Sequence, residues 1–164
     1  MIRYITLAPE HDEGLSLTKY CGKAGVVVSL GHSSATYDQA LLAVANGASS
    51  MTHVYNGMTP FSHRAPGLVG AALRIRDIYG EIICDGCHSH LAALNNYFTA
   101  KGRDFAIMVT DSLRVKSCEP GGRYDLGGHA KMCIRDRYCR GHPCEADFQE
   151  AGADKRGGPG KDRI

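Results

Sequence analysis

Long apolar runs, a surplus of basic charge and aromatic side chains are all scarce in this sequence, and each scarcity excludes a class of function. Its 164 residues include 19 Lys and Arg against 17 Asp and Glu, a formal net charge of +2, with aromatics at 7 %. Such a balance offers no basic stripe with stacking partners, so nucleic acid is not an expected partner. No apolar run reaches the roughly 18 residues that cross a bilayer, and Met1 to Glu10 lacks the basic lead, apolar stretch and cleavage site of a signal peptide. The expectation is a soluble, cytoplasmic chain without a membrane partner. Seven cysteines, odd in number and irregular in spacing, argue against a disulfide framework and for reduced thiols. Cys21 and Cys84, in apolar contexts, are read as small core residues. The length suits one domain but falls short of the roughly 250 residues of a large enzyme barrel. A small molecule is the expected partner.

What the sequence does have is alternation. Short apolar runs at Tyr4 to Leu7, Val26 to Leu30, Met51 to Val54, Glu81 to Cys84 and Ala106 to Val109 read as strands. Being apolar at successive positions, they suit a parallel sheet covered on both sides. Between them, Tyr37, Ala40, Leu41 and Val44 recur at helical spacing, with Thr36 and Gln39 as a capping box and Asn46-Gly47 as the stop. Leu91, Leu94 and Phe98 form a second helical face ending at Gly102, and Leu15, Tyr20, Cys21 and Ala24 a third ending at Gly25. Pro66 to Leu73 predicts a short helix. The pattern is α/β, built from repeated βα units.

Polar residues follow the strand ends: Glu10, Gly31-His32-Ser33, His53 to Asn56, Asp85 to His88, and Asp111. In a β/α fold that edge is where sites are built. His32 and His53, at the ends of neighbouring strands, could converge on one metal ion. Either one alone could equally be a core or loop histidine satisfied by the backbone. Asp111 could bind metal, take a proton from metal-activated water, or cap the next segment. Cys84-Asp85-Gly86-Cys87-His88 fits a haem-attachment pattern and, with His90, a zinc cluster. A buried strand end and the tight spacing make coincidence the better reading of both.

Six motifs in order carry a resemblance: Ile5-Thr6-Leu7-Ala8-Pro9-Glu10, Gly31-His32-Ser33-Ser34-Ala35-Thr36-Tyr37, Thr52-His53-Val54-Tyr55-Asn56-Gly57-Met58, Arg64-Ala65-Pro66-Gly67-Leu68-Val69-Gly70-Ala71, Asp85-Gly86-Cys87-His88 and Val109-Thr110-Asp111. Together they resemble the N-acetylglucosamine-6-phosphate deacetylase family of amidohydrolases. The resemblance implies a (β/α)8 barrel, a divalent metal ion (zinc or iron), an amino-sugar phosphate substrate and a homodimer. It implies His32 and His53 as metal ligands and Asp111 as general base and then general acid. Asn56, Gly57, Arg64, Asp85, Gly86, Cys87 and His88 match substrate-contacting positions. Arg64 there binds phosphate across the dimer interface, and His88, near the sugar, helps steady the oxyanion. His11, His63 and His90 match no role and read as exposed polar residues, and Glu10 matches a position without an assigned one. The alternatives are a deacetylase of another amino-sugar phosphate, such as the galactosamine analogue, and a non-catalytic sugar-phosphate-binding chain.

The resemblance has edges. The family's early strands, with a metal-ligating glutamate in a His-Leu-Glu-Gly-Pro-like motif, are not found, so residues 1–120 are expected to form a partial barrel of about five units. Residues 121–130, with Gly122 to Gly128, resemble the start of a small β domain. Residues 131–164 hold only Ile134, Phe148 and Ile164 among Leu, Ile, Val and Phe, too few for a core. Met132-Cys133-Ile134-Arg135-Asp136 resembles the translation of a sequencing-library adapter. A disordered or artefactual tail is expected there, and Cys139, His142 and Cys144 are not read as a metal site.

Overall fold

The computed structural model describes residues 1–112, 123–126 and 129–132. The chain divides into two units, Met1–Asp111 and Ser112–Ile164. In the first, β1 (Tyr4–Leu7), β2 (Val27–Leu30), β3 (Ala48–Met51), β4 (Tyr79–Ile83) and β5 (Ala106–Val109) form one sheet in chain order. All four pairings are parallel. Helices α1 (Ser16–Lys23), α2 (Tyr37–Ala45), α3 (Gly67–Arg74) and α4 (Leu91–Lys101) fall between successive strands. This is the five-unit β/α arrangement that the alternating pattern predicts.

Side chains alternate sides along a strand, and most of the apolar core lies on the helix-facing side. Val28, Leu30, Met51 and Ile82 are fully buried and cluster with Ala40 and Ala43 of α2, Leu68, Ala71 and Ala72 of α3, and Leu94 and Tyr97 of α4. Residues of the other parity carry hydroxyls and a carboxylate. The Tyr4 hydroxyl reaches Ser50 Oγ (3.0 Å) and Glu81 Oε1 (2.7 Å), while Thr52 Oγ1 meets Thr6 Oγ1 (2.9 Å) and Ser29 Oγ (2.6 Å). Tyr4, Val27, Tyr79 and Ile107 on that parity stay exposed. Ser29, Ser50 and Ile83 of that parity are nevertheless buried, so the covering on both faces expected from the apolar runs is found in part.

Three local expectations are corrected. β3 is Ala48–Met51, three residues before the run Met51 to Val54. Its Ser50 is polar because it faces the Tyr4 hydroxyl, so an apolar count slides past it. On α4 the inward stripe is Leu94, Tyr97 and Lys101, whereas Leu91 and Phe98 are exposed. Tyr97 donates its hydroxyl hydrogen bond to Gly80 O, and Lys101 Nζ donates to Ile75 O at 2.7 Å. Both side chains bury long apolar stems behind a satisfied polar tip. Cys84 is exposed rather than core, while Cys21 is buried as expected.

The capping box of α2 is present as the sequence reads it: Gln39 N donates to Thr36 Oγ1 (3.2 Å) and Thr36 N to Gln39 Oε1 (2.8 Å). Helix α1 is held by Asp12, whose two oxygens accept from Leu17 N, Thr18 N and Thr18 Oγ1. Among the described residues no helix is long and apolar enough to cross a membrane. In the second unit, β6 (Arg123–Leu126) and β7 (His129–Met132) pair antiparallel, from Arg123↔Met132 to Leu126↔His129. That strand runs through position 131, where the sequence reading sets the start of its tail. Residues 133–164, with Cys139, His142 and Cys144, lie outside the described residues.

Candidate active site

Because the five strands are parallel, their C-terminal ends lie along one edge, and the loops leaving it carry the candidate residues. His32 follows β2 and His53 follows β3. Their Nε2 atoms are 2.8 Å apart, with ring centroids at 4.6 Å and planes at 82°. His53 is buried and His32 is exposed. The backbone turns left-handed at both, with φ of 47° at His32 and 32° at His53, and again at Asp111, φ 48°. Residues other than glycine rarely adopt this region, at a cost of about 1–3 kcal/mol each, and such strain gathers at functional sites. Among the described residues only Leu15 and Tyr55 share it.

The histidine pair is supported from beneath and from the side. Directly before His32, a Cβ at Gly31 would sit 2.7 Å from Thr52 Cβ and 3.2 Å from Thr6 Cγ2. Only glycine lets β1 and β3 close over β2 at this level, where the hydroxyls of Thr6, Ser29 and Thr52 meet. Directly after His32, Ser33 Oγ donates to Glu10 Oε2 (2.6 Å) and Ser34 N donates to Glu10 Oε1 (2.5 Å). Burial alone would raise the Glu10 carboxyl; the hydrogen bonds from Ser33 and the backbone, with the nearby His11, bring it below the usual carboxylate range instead. Ser33 N donates to Gly57 O at 2.9 Å. Gly57, at φ 57°, lies so close that an added Cβ would be 3.2 Å from His32 Nδ1.

Beside His32 opens a cavity of about 500 Å³, lined by Ser33, Ser34, Gly57, Met58, Thr59 and Pro60 as well as the histidine. Asn56 is half-buried, its amide 3.5 Å from Val54 O. Arg64 is exposed in the turn before α3, where Ser62 Oγ accepts from Arg64 N and Ala65 N. After β4, Asp85 Oδ1 accepts from Cys87 N (2.8 Å) and His88 N (2.9 Å), and its Oδ2 lies 2.6 Å from His88 Nδ1. In the neutral ring this places the proton on Nδ1 and leaves Nε2 as an acceptor. His90 caps α4, accepting from Ala92 N at 3.1 Å. Asp111 is exposed at the end of β5. The structure thus brings His32, His53 and Gly57 together and Asp85 to His88 into one loop, with Asn56 and Arg64 on the same β3–α3 connection as His53, and Asp111 after β5.

Two converging imidazole nitrogens are a donor set for zinc or a similar ion. Either Nε2 carries the shared proton or both offer lone pairs to one cation. Among the described residues no third His, Cys, Asp or Glu joins them, and His53 Nδ1 is buried without a hydrogen-bond partner. The pair therefore fits part of a metal shell, since catalytic sites use about three protein ligands. Glu10 is the functional group that sequence reasoning left unassigned. Its contacts are set by tertiary proximity, and no local spacing signals them.

No protein-family model matches the chain. By sequence it is similar to the N-acetylglucosamine-6-phosphate deacetylase of Lysinibacillus sphaericus, 46 % identical over 127 residues, which is 77 % of this chain and 33 % of that protein. It is also similar to the N-acetylgalactosamine-6-phosphate deacetylase of Escherichia coli O157:H7, at 38 % identity over 77 % of the chain and 33 % of the relative. By fold it is similar to the Mycobacterium smegmatis N-acetyl-D-glucosamine-6-phosphate deacetylase, solved as an Asp-to-Ala variant in complex with N-acetyl-D-glucosamine-6-phosphate. The TM-score is 0.71 at 30 % identity, covering 82 % of this chain and 37 % of that one. The chain thus spans about a third of the length of the curated relatives it matches.

Proposed function

We propose that this chain, homologous to about a third of an N-acetylglucosamine-6-phosphate deacetylase, supplies part of the site that hydrolyses N-acetylglucosamine 6-phosphate to glucosamine 6-phosphate and acetate. The observation that carries this reading is the His32–His53 pair, two Nε2 atoms at 2.8 Å on adjacent strand ends, each set by a strained backbone turn. These nitrogens would hold a divalent ion, zinc or iron. Such an ion supplies Lewis acidity and brings the pKa of water down to about 7.

Asp111 takes the proton from the attacking water and returns it to the departing amine. Its exposed position on the same strand-end edge supports that role, which a carboxylate can fill in both directions. Arg64 presents a fork of donors suited to a phosphate, and its exposure is compatible with a site completed at a homodimer interface. Asn56 and Gly57 border the sugar phosphate, and the Asp85–His88 loop faces the sugar. His88, held at Nδ1 by Asp85, contacts a sugar hydroxyl. Steadying an oxyanion would require the doubly protonated ring with Asp85 as its counter-ion. The relative acting on the galactosamine isomer supports a second reading, in which that isomer is the substrate.

The test is a chimaera in which residues 1–111 replace the matching segment of the Lysinibacillus sphaericus relative. Release of acetate from the glucosamine substrate in preference to the galactosamine one is expected. Asp111→Asn should keep metal and substrate binding and lose about 10²- to 10⁴-fold in turnover. Binding without turnover by the chimaera, or near-normal turnover by the Asn variant, would overturn the proposal.

A further inference from the structure

The loop that carries His32 is fixed by a group on a different strand. Glu10 sits in a single 3-10 turn, Pro9–His11, at the end of β1. Both of its oxygens are directed at the two residues after His32: Oε2 accepts from Ser33 Oγ at 2.6 Å and Oε1 from Ser34 N at 2.5 Å. Ser33 passes the restraint on. Its Oγ accepts from Ala35 N at 3.0 Å, its backbone N donates to Gly57 O at 2.9 Å, and it forms a parallel bridge with Met58. Ala35 O in turn accepts from Thr59 Oγ1 at 2.5 Å, and Thr59 Oγ1 accepts from Leu68 N at 2.7 Å, at the start of α3. Loops from β1, β2 and β3 are therefore bound into one polar unit around Ser33, which is itself buried.

We propose that Glu10 is a positioning residue for the histidine pair: its carboxylate fixes the Ser33-Ser34 segment and thereby aims His32 Nε2 at His53 Nε2. The physical case rests on what the loop lacks otherwise. His32 is exposed and left-handed, φ 47°, a conformation that persists only where its surroundings over-determine it. On one side Gly57 walls the ring. On the other, a carboxylate accepting two hydrogen bonds at once is the strongest restraint the loop receives, since bonds to ionised acceptors are about twice as strong as neutral ones. Glutamate is required because a single side chain must span both partners with separate oxygens. Glutamine offers one acceptor and one donor: its oxygen can accept from Ser34 N, but its amide nitrogen cannot accept from the Ser33 hydroxyl, which would have to turn and act as acceptor instead. The proposal rests on the reading of the pair as a metal site only for its importance to catalysis; the contacts it concerns are made by the chain's own residues.

The experiment uses the full chain, labelled with ¹⁵N, without added metal. Two readouts are taken for the parent, Glu10→Ala, Glu10→Gln and Ser33→Ala: exchange of the Ser34 amide, and the ¹⁵N pattern of the two imidazoles, which reports whether their Nε2 atoms share a proton. Glu10→Ala is expected to speed Ser34 exchange about tenfold or more, the equivalent of a lost charged hydrogen bond. It should also move the His32 ring to the pattern of an independent imidazole, with no larger a loss of global stability than that bond accounts for. Glu10→Gln and Ser33→Ala should give intermediate shifts, and they carry the same readouts if the Ala variant does not fold. A His32 ring pattern identical to the parent's in all three variants would overturn the proposal. So would a fall in global stability with no selective change at His32, which is what a merely structural carboxylate would produce. A separate cobalt(II) titration of the parent tests metal binding, so failure of that reading is seen apart from failure of this one.

Discussion

Gly31→Ala is the perturbation whose cost is most directly worked from the geometry. The Gly31 backbone is not left-handed, so the substitution is decided by space alone. The new Cβ would meet Thr52 Cβ at 2.7 Å, about 1 Å inside the usual carbon contact of roughly 3.5–4.0 Å. Thr52 Cβ is bonded to the backbone and no rotamer removes it, so the end of β3 must move away from β2. Overpacking of this kind costs about 1–3 kcal/mol. The shift also strains the Thr52 hydroxyl contacts to Ser29 and Thr6, each worth about 1 kcal/mol. A total loss of about 2–4 kcal/mol is expected, a large part of the roughly 5–15 kcal/mol that holds a domain together. Urea unfolding of the full chain, followed by far-UV circular dichroism, measures it. Thr52→Gly removes the offending atom, so the double variant should recover at least about 1 kcal/mol relative to the sum of the singles, a coupling typical of touching residues. Gly31→Ala unfolding with parental stability, or strict additivity in the double variant, would refute the reasoning.

Other perturbations follow from single features. Arg64→Ala in the chimaera should raise the KM for the phosphorylated sugar far more than for its unphosphorylated analogue, because its expected partner is the phosphate; equal losses on both substrates would count against that role. Burial lowers the Lys101 ammonium to about 8, with Asp77 opposing the shift. Above that pH the folded chain binds fewer protons than the unfolded one, so stability should rise between about pH 8 and pH 10, by at most about 1.4 kcal/mol per pH unit. Lys101→Met should flatten that rise, measured as the urea midpoint against pH.

Much of the architecture was legible because each βα unit repeats a local rule. The strand at Tyr4 to Leu7, the Thr36–Gln39 capping box and the stops at Gly25, Gly47 and Gly102 all rest on residues whose propensities act within a few positions. Ser50 and Tyr97 defeated the same reasoning. The first is polar because a tyrosine two strands away bonds it, and the second is inward because its hydroxyl finds a carbonyl on β4. In both, a distant partner overrides the apolar period. His32 and His53 were legible as strand-end histidines, and their resemblance to a known motif added to that. Their left-handed backbone and the hold of Glu10 on the loop were not, since the enrichment of histidine at positive φ is too slight to mark a particular position and the spacing from Glu10 to Ser33 only acquires meaning once β1 and β2 are paired.

The central claim is that His32 and His53 together hold a divalent ion, and metal content of the chimaera tests it most directly. Purified chimaera, His32→Ala and His53→Ala are dialysed against one zinc buffer and assayed for bound metal and acetate release. The account predicts stoichiometric metal in the parent and the loss of metal and turnover together in each variant. Stoichiometric metal retained in both variants, with turnover intact, would contradict it.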